Sequence, residues 1–187
     1  TSTYFINPLC LALSPVALLV VLGYSYTKRF TPLCHLVLGL GLALAPMGAY
    51  LVVTGAFAWT PVFFSLAVLC WVSGFDIIYA LQDEAFDKQE NLFSIPAWLG
   101  AKKALRVSEI LHALALLWLI MPLFYTTLSW FYLAGLAFFG ILLLYQHRLV
   151  KPTDISKVDR AFQTTNGMAS VIFAICYFLD VWLRSPL

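Results

Sequence analysis

The chain has 187 residues, of which 62% are hydrophobic and 11% are charged, and its mean hydropathy is +0.89. This composition excludes an ordinary water-soluble domain, because the apolar share is too high and the charged share too low for a surface in contact with water. The net charge of +2 arises from basic and acidic residues that alternate in the polar segments and form no continuous basic patch. We therefore expect the chain to lie in a lipid bilayer and to bind no nucleic acid.

Six apolar stretches are long enough to cross a bilayer as helices, since a hydrocarbon core of about 30 Å needs roughly 20 residues per span. In chain order the predicted spans are residues 9–26, 35–57, 61–81, 110–125, 128–145 and 167–183. The third contains Asp76 and the fourth is short, but we count both as spans. These stretches predict an all-α, multi-pass transmembrane helical bundle, which we expect to form a single domain over residues 1–187.

The basic residues predict the orientation of this bundle. With the exception of Arg184, every Lys and Arg lies in or beside the connections after the first, third and fifth spans. They are Lys28, Arg29, Lys88, Lys102, Lys103, Arg106, Arg148, Lys151, Lys157 and Arg160. Positive charge collects on the cytoplasmic side of membrane proteins, so these connections are expected in the cytoplasm and the two chain ends on the other side.

A row of carboxylates leaves the third span on its predicted cytoplasmic side. At about 100° per residue, Asp83 and Asp87 each lie within about 20° of Asp76 around a helix, and Tyr79 borders the same face. A carboxylate inside a span costs on the order of 2.5–3.5 kcal/mol, so Asp76 is expected to face a cavity or a partner rather than lipid. Asp83 and Asp87 repel each other unless a cation lies between them, and their oxygen atoms suit Mg²⁺.

Buried carboxylates also occur in proteins that move ions. An ion-coupled transporter or channel subunit is therefore an alternative class, in which these groups would carry protons or cations. The concentration of charge on one predicted face is more typical of an enzyme that uses a phosphorylated substrate from the cytoplasm.

Several segments resemble one known family. The run GFDIIYALQDEAFD, the SIPAWLG that follows it and the upstream YSYTKRFT are similar to the second aspartate-rich motif and the preceding basic loop of UbiA-type aromatic prenyltransferases. The likeness extends through YQHRLV and TTNG near the last span. It is strongest to bacterial 4-hydroxybenzoate polyprenyltransferases and to their relatives that act on menaquinone precursors.

The resemblance implies a reaction and roles for particular residues. A Mg²⁺-dependent enzyme of this kind transfers a polyprenyl group from a polyprenyl diphosphate to an aromatic acid, in the bacterial cytoplasmic membrane, with its active site facing the cytoplasm. The roles implied are metal ligands for Asp83 and Asp87, and catalytic residues for Asp76, Tyr79 and Asp83. Lys28 and Arg29 match the family's basic pair and are expected to bind the diphosphate.

The chain also departs from the family pattern. Family members have about nine spans, and a first motif, Asn-x-x-x-Asp-x-x-x-Asp, precedes the region matched here but does not occur in this sequence. We therefore interpret the chain as a member that lacks the first three family helices and is inactive on its own. A non-catalytic membrane subunit is the alternative.

The sequence leaves the aromatic acceptor open. A 4-hydroxybenzoate acceptor implies ubiquinone biosynthesis, and a naphthoate-type acceptor implies menaquinone biosynthesis. His35, His112 and His147 are isolated in sequence and are expected to pack at the membrane interface rather than to act in catalysis.

Overall fold

The computed structural model describes residues 6–184, which are helical apart from their connections and contain no β-strand. The eight α-helices are α1 Pro8–Thr27, α2 Cys34–Thr54, α3 Trp59–Tyr79, α4 Glu84–Gln89, α5 Ile95–Leu99, α6 Ala101–Ile120, α7 Trp130–Leu149 and α8 Asn166–Arg184. Short 3₁₀ turns follow α3 and α6, and a π-helical turn, Arg160–Thr165, leads into α8.

Six helical segments are long and apolar enough to cross a membrane, as the sequence predicted. They are Pro8–Thr27, Cys34–Thr54, Trp59–Gln89, Ala101–Phe124, Trp130–Leu149 and Arg160–Arg184. The all-α multi-pass architecture is therefore confirmed. Local sequence sets some of the helix ends: Asn7 accepts a hydrogen bond from the Cys10 backbone N–H at 2.8 Å and caps α1, while Gly55, at φ 66°, ends α2.

The predicted start of the fourth span was wrong. Helix α6 begins at Ala101, nine residues before the predicted residue 110, within a segment that we expected to be a loop. Lys102, Lys103 and Arg106 are exposed on one side of its first turns, while Ala104 and Leu105 are buried on the other. An amphipathic beginning of this kind does not register as an apolar stretch, although it is helical.

Helix α3 is the centre of the bundle and packs against both α2 and α6. Glycines permit both contacts. A Cβ at Gly39 of α2 would meet the Leu69 carbonyl oxygen of α3 at 2.6 Å, and a Cβ at Gly74 of α3 would overlap the His112 ring of α6. Membrane helices use small residues to bring backbones together in this way.

Polar contacts connect helices that are distant in sequence. Trp71 Nε1 donates to Asn166 Oδ1 at 3.2 Å and links α3 to the start of α8. At the opposite end of α8, the buried Asp180 carboxylate accepts from the Ser129 backbone N–H at 2.7 Å and forms an ion pair with Arg184 at 2.5 Å. Asp180 therefore caps the start of α7 from a neighbouring helix.

Candidate functional site

The ends of α1 and α3 and the start of α2 surround a pocket of about 250 Å³. All three parts lie at the same end of the bundle, because α2 runs antiparallel to its neighbours and its first residues meet their last. The lining residues are Tyr24, Ser25, Lys28, Cys34, His35, Leu38, Asp76, Tyr79, Ala80 and Asp83. The pocket thus brings together four of the six residues that the sequence predicted for the site: Lys28, Asp76, Tyr79 and Asp83.

The carboxylate row does not lie on a single helical face. Helix α3 ends at Tyr79, the chain tightens into a 3₁₀ turn at Ala80–Asp83, and α4 follows. A 3₁₀ turn rotates the chain by about 120° per residue instead of about 100°, so these four residues add a rotation of about 80°. Asp83 still reaches the pocket, while Asp87 points into the protein with 0% of its surface exposed.

Lys28 lies between the two carboxylates that follow α3. Its Nζ is 2.7 Å from Asp87 Oδ1 and 3.8 Å from Asp83 Oδ2. The sequence indicated that a cation must separate Asp83 from Asp87, and the ammonium of Lys28 meets that requirement. The Phe93 backbone N–H donates to the Lys28 carbonyl at 2.7 Å, which ties the end of α1 to the loop before α5.

Arg29, the other basic residue predicted for the site, is not among the residues that line the pocket. Its side chain is exposed, and its guanidinium carbon lies 5.7 Å from the centre of the Tyr26 ring. Both residues lie in the turn that follows α1, and within this turn Lys28 faces the pocket while Arg29 does not. A diphosphate-binding role for Arg29 stays a prediction.

Tyr79 lines the pocket on the α3 side, and other aromatic rings pack behind it. The Tyr79 ring packs on Phe162, with ring centres 4.3 Å apart, and Phe162 also contacts Phe75 at 5.4 Å. Phe162 belongs to the π-helical turn before α8, so the far end of the chain supports this wall. Ring faces of this kind attract positive charge.

His35 lies at the start of the span α2, where its ring is enclosed by neighbouring helices. His35 is only 3% exposed, its Nδ1 lies 2.7 Å from Asp76 Oδ2, and its Nε2 accepts from the Ile95 backbone N–H at 3.3 Å. His112 is likewise buried inside the bundle, where its Nδ1 lies 2.9 Å from His147 Nε2. Pairing between helices explains both cases, because a polar ring in an apolar bundle needs a hydrogen-bond partner.

Asp83 and Asp87 can supply only part of a metal shell. Within residues 6–184 no cluster of three or more His, Cys, Asp or Glu side chains is arranged to hold a metal ion. Mg²⁺, however, is commonly bound through one or two carboxylates, with substrate phosphates and water completing its shell. The second oxygen of Asp87, Oδ2, is buried without a hydrogen-bond partner. Asp83, on the pocket wall, fits the protein's share of such a shell. Asp87 lies beneath the pocket, where Lys28 already compensates its charge, so its role as a metal ligand stays a prediction.

Comparison with known proteins identifies the family. The profile of the UbiA prenyltransferase family matches residues 1–177. The chain belongs to the UbiA prenyltransferase family. This confirms the resemblance inferred from the aspartate-rich segment.

The two relatives described next have the same name. A protein of Francisella tularensis subsp. mediasiatica named 4-hydroxybenzoate octaprenyltransferase is 28% identical over 171 residues, which make up 91% of this chain and 60% of that protein. An Aeromonas hydrophila protein of the same name is 31% identical over 175 residues, covering 90% of this chain and 58% of that protein. The chain thus spans about 60% of the length of the curated relatives it matches.

A solved structure has the same fold. The apo structure of a UbiA homolog from Aeropyrum pernix K1 superposes with a TM-score of 0.85 and is 29% identical in sequence. The match covers 96% of this chain and 67% of that chain. The arrangement of helices around the pocket is therefore that of a UbiA-type bundle.

Proposed function

We propose that this protein takes part in the transfer of a polyprenyl group from a polyprenyl diphosphate to an aromatic acid of the 4-hydroxybenzoate type, in ubiquinone biosynthesis. The observation that carries the proposal is the pocket in which Lys28, Asp76 and Asp83 converge at one end of an apolar bundle. A substrate with an anionic head and a hydrocarbon tail suits this position, because Lys28 and a cation held by the carboxylates would bind the head while the tail stays among apolar helices.

The reaction begins with cleavage of the allylic C–O bond, and pyrophosphate leaves with the bonding electrons. Lys28 is the residue of this pocket placed to bind that anion, since 31% of its side chain is exposed and its ammonium lies beside Asp83. Mg²⁺ held by Asp83 and Asp87 would supply further positive charge to stabilise the leaving group. Arg29 is proposed to act at the rim, from its exposed position at the end of α1.

The allylic carbon then forms a bond with a ring carbon of the acceptor, and that carbon loses its proton so that the ring regains aromaticity. Asp76 is the base proposed for this proton, because its carboxylate lines the pocket and keeps 22% of its side chain exposed. Tyr79 provides a ring face beside the allylic cation, and Phe162 packs against Tyr79 and holds that ring in place.

We place the protein in a bacterial cytoplasmic membrane with the pocket open to the cytoplasm. The basic residues support this orientation: Lys28 and the exposed Lys102, Lys103 and Arg106 lie at the pocket's end of the bundle, and Arg184 lies at the other. A cytoplasmic opening gives water-soluble aromatic acids and diphosphate heads access to the pocket.

The test is transfer of a labelled polyprenyl group by the purified 187-residue chain, reconstituted in lipid nanodiscs. Each reaction contains either 4-hydroxybenzoate or a dihydroxynaphthoate, with Mg²⁺ or with EDTA. The missing first aspartate-rich motif predicts a chain that is inactive on its own. Lys28, Asp76 and Asp83 nevertheless form the pocket within residues 6–184, so here we expect Mg²⁺-dependent formation of prenylated 4-hydroxybenzoate. Product from the naphthoate alone would move the protein to menaquinone biosynthesis. Binding of the diphosphate without any product would refute transfer by this chain, and ion flux without binding would favour the transporter class.

A further inference from the structure

His35 connects the pocket to the loop that follows the carboxylates. The ring lies between Asp76 Oδ2, at 2.7 Å from Nδ1, and the backbone N–H of Ile95, at 3.3 Å from Nε2. The His35 carbonyl in turn accepts from Ser73 Oγ at 3.0 Å, one turn before Asp76 on α3. Both ring nitrogens and the backbone of this residue are thus engaged.

These contacts define the tautomer of the ring. The Ile95 amide has only a hydrogen to offer, so Nε2 must carry a lone pair and cannot be protonated. The proton of a neutral imidazole is then on Nδ1, from which it is donated to Asp76 Oδ2. An imidazolium would place an N–H of Nε2 against the N–H of Ile95, which the observed geometry disfavours.

The same contacts orient Asp76. Its Oδ2 accepts a hydrogen bond, which fixes the rotation of the carboxylate, while 22% of the side-chain surface stays exposed at the pocket. A base in this position needs its accepting oxygen aimed at the proton that it removes. His35 itself is 3% exposed, so it acts on the pocket through Asp76 rather than through a large surface of its own.

We propose that His35, in its neutral Nδ1–H tautomer, is the positioning residue that holds the Asp76 carboxylate aimed at the acceptor ring. The inference rests on the proposed prenyl transfer, in which Asp76 takes the ring proton. It also links the site to the segment Ile95–Leu99, because the same ring holds the first residue of α5.

The kinetic test compares two replacements of His35 in the full chain. In His35→Gln, the amide N–H can donate to Asp76 and the amide oxygen can accept from Ile95. His35→Met has a similar volume and no strong donor. His147→Met makes the same chemical change in the other histidine pair, outside the pocket, and serves as the matched control.

For His35→Met we expect kcat to fall by about 10- to 100-fold, as when an orienting partner is removed from a functional group, with little change in KM for the prenyl diphosphate. His35→Gln should recover most of that loss, and His147→Met should leave kcat nearly unchanged. Equal losses in His35→Gln and His35→Met, or full activity in His35→Met, would overturn the proposal.

A measurement on the unmodified chain keeps the proposal testable if the variants do not fold or if the chain transfers no prenyl group. Histidine labelled with ¹⁵N distinguishes protonated from unprotonated ring nitrogens by NMR, and His35→Gln or His112→Gln assigns the signals. We expect a protonated Nδ1 and an unprotonated Nε2 for His35. A doubly protonated ring or the opposite tautomer would overturn the inference. A correct tautomer without transfer would instead refute the proposed function alone.

Discussion

Replacement of Lys28 by Met tests the ion pair beneath the pocket. Lys28 Nζ lies 2.7 Å from Asp87 Oδ1, and the Asp87 side chain is fully buried while 31% of the Lys28 side chain remains exposed. Removing one partner of a buried pair costs about 3–5 kcal/mol, because the other charge is left without compensation. Because the Lys28 side chain is only partly buried, we expect Lys28→Met to lower the free energy of unfolding by about 2–3 kcal/mol.

The assay is equilibrium unfolding of the chain in mixed detergent micelles, followed by circular dichroism. Lys88→Met is the matched control, since Lys88 Nζ lies 2.6 Å from Glu84 Oε1 but in a surface pair whose side chains are 54% and 24% exposed. A helical surface pair of this kind contributes at most about 0.5 kcal/mol. Adding Asp87→Asn to Lys28→Met should recover part of the loss, because no charge is then left buried. Equal effects of Lys28→Met and Lys88→Met, or simple additivity in the double variant, would refute the reasoning.

Four further substitutions test other parts of the bundle and the proposed metal site. Asp180→Asn should lower the free energy of unfolding by about 1–3 kcal/mol, because an amide replaces the buried carboxylate that caps α7, and it should leave the affinity for prenyl diphosphate unchanged in a binding assay. Gly39→Ala should lower the same free energy by about 1–3 kcal/mol, since its Cβ would meet the α3 backbone. Gly48→Ala, with no neighbouring atom within 4 Å of the new Cβ, should be neutral or stabilising by up to about 1 kcal/mol. A larger loss of stability in Gly48→Ala than in Gly39→Ala would contradict the packing. Asp83→Asn should reduce Mg²⁺-dependent transfer by about 10²-fold in the nanodisc assay, and an unchanged Mg²⁺ dependence would remove Asp83 from the proposed metal site.

The sequence was sufficient to predict the architecture and four of the residues that line the pocket. Apolar length defines membrane spans almost independently of tertiary contacts, so all six were found. Helical spacing correctly placed Asp76, Tyr79 and Asp83 near one another. It gave the wrong environment for Asp87, because the 3₁₀ turn at Ala80–Asp83 changes the rotation after α3, and such turns have no clear signature in the sequence.

The hydrogen-bonding partners of the carboxylates were harder to predict from the sequence, because they lie on other helices. A carboxylate in a span must find a donor, and only residues at the same depth can supply it. Asp76 lies three residues before the end of α3, and His35 is the second residue of the antiparallel α2, so the two share a depth at one membrane face. Matching polar residues by depth across antiparallel spans would have brought His35 forward as a candidate partner. Which side chain the His35 ring faces depends on the rotation of α2 about its own axis. The close approach of α2 to α3 at Gly39 constrains that rotation.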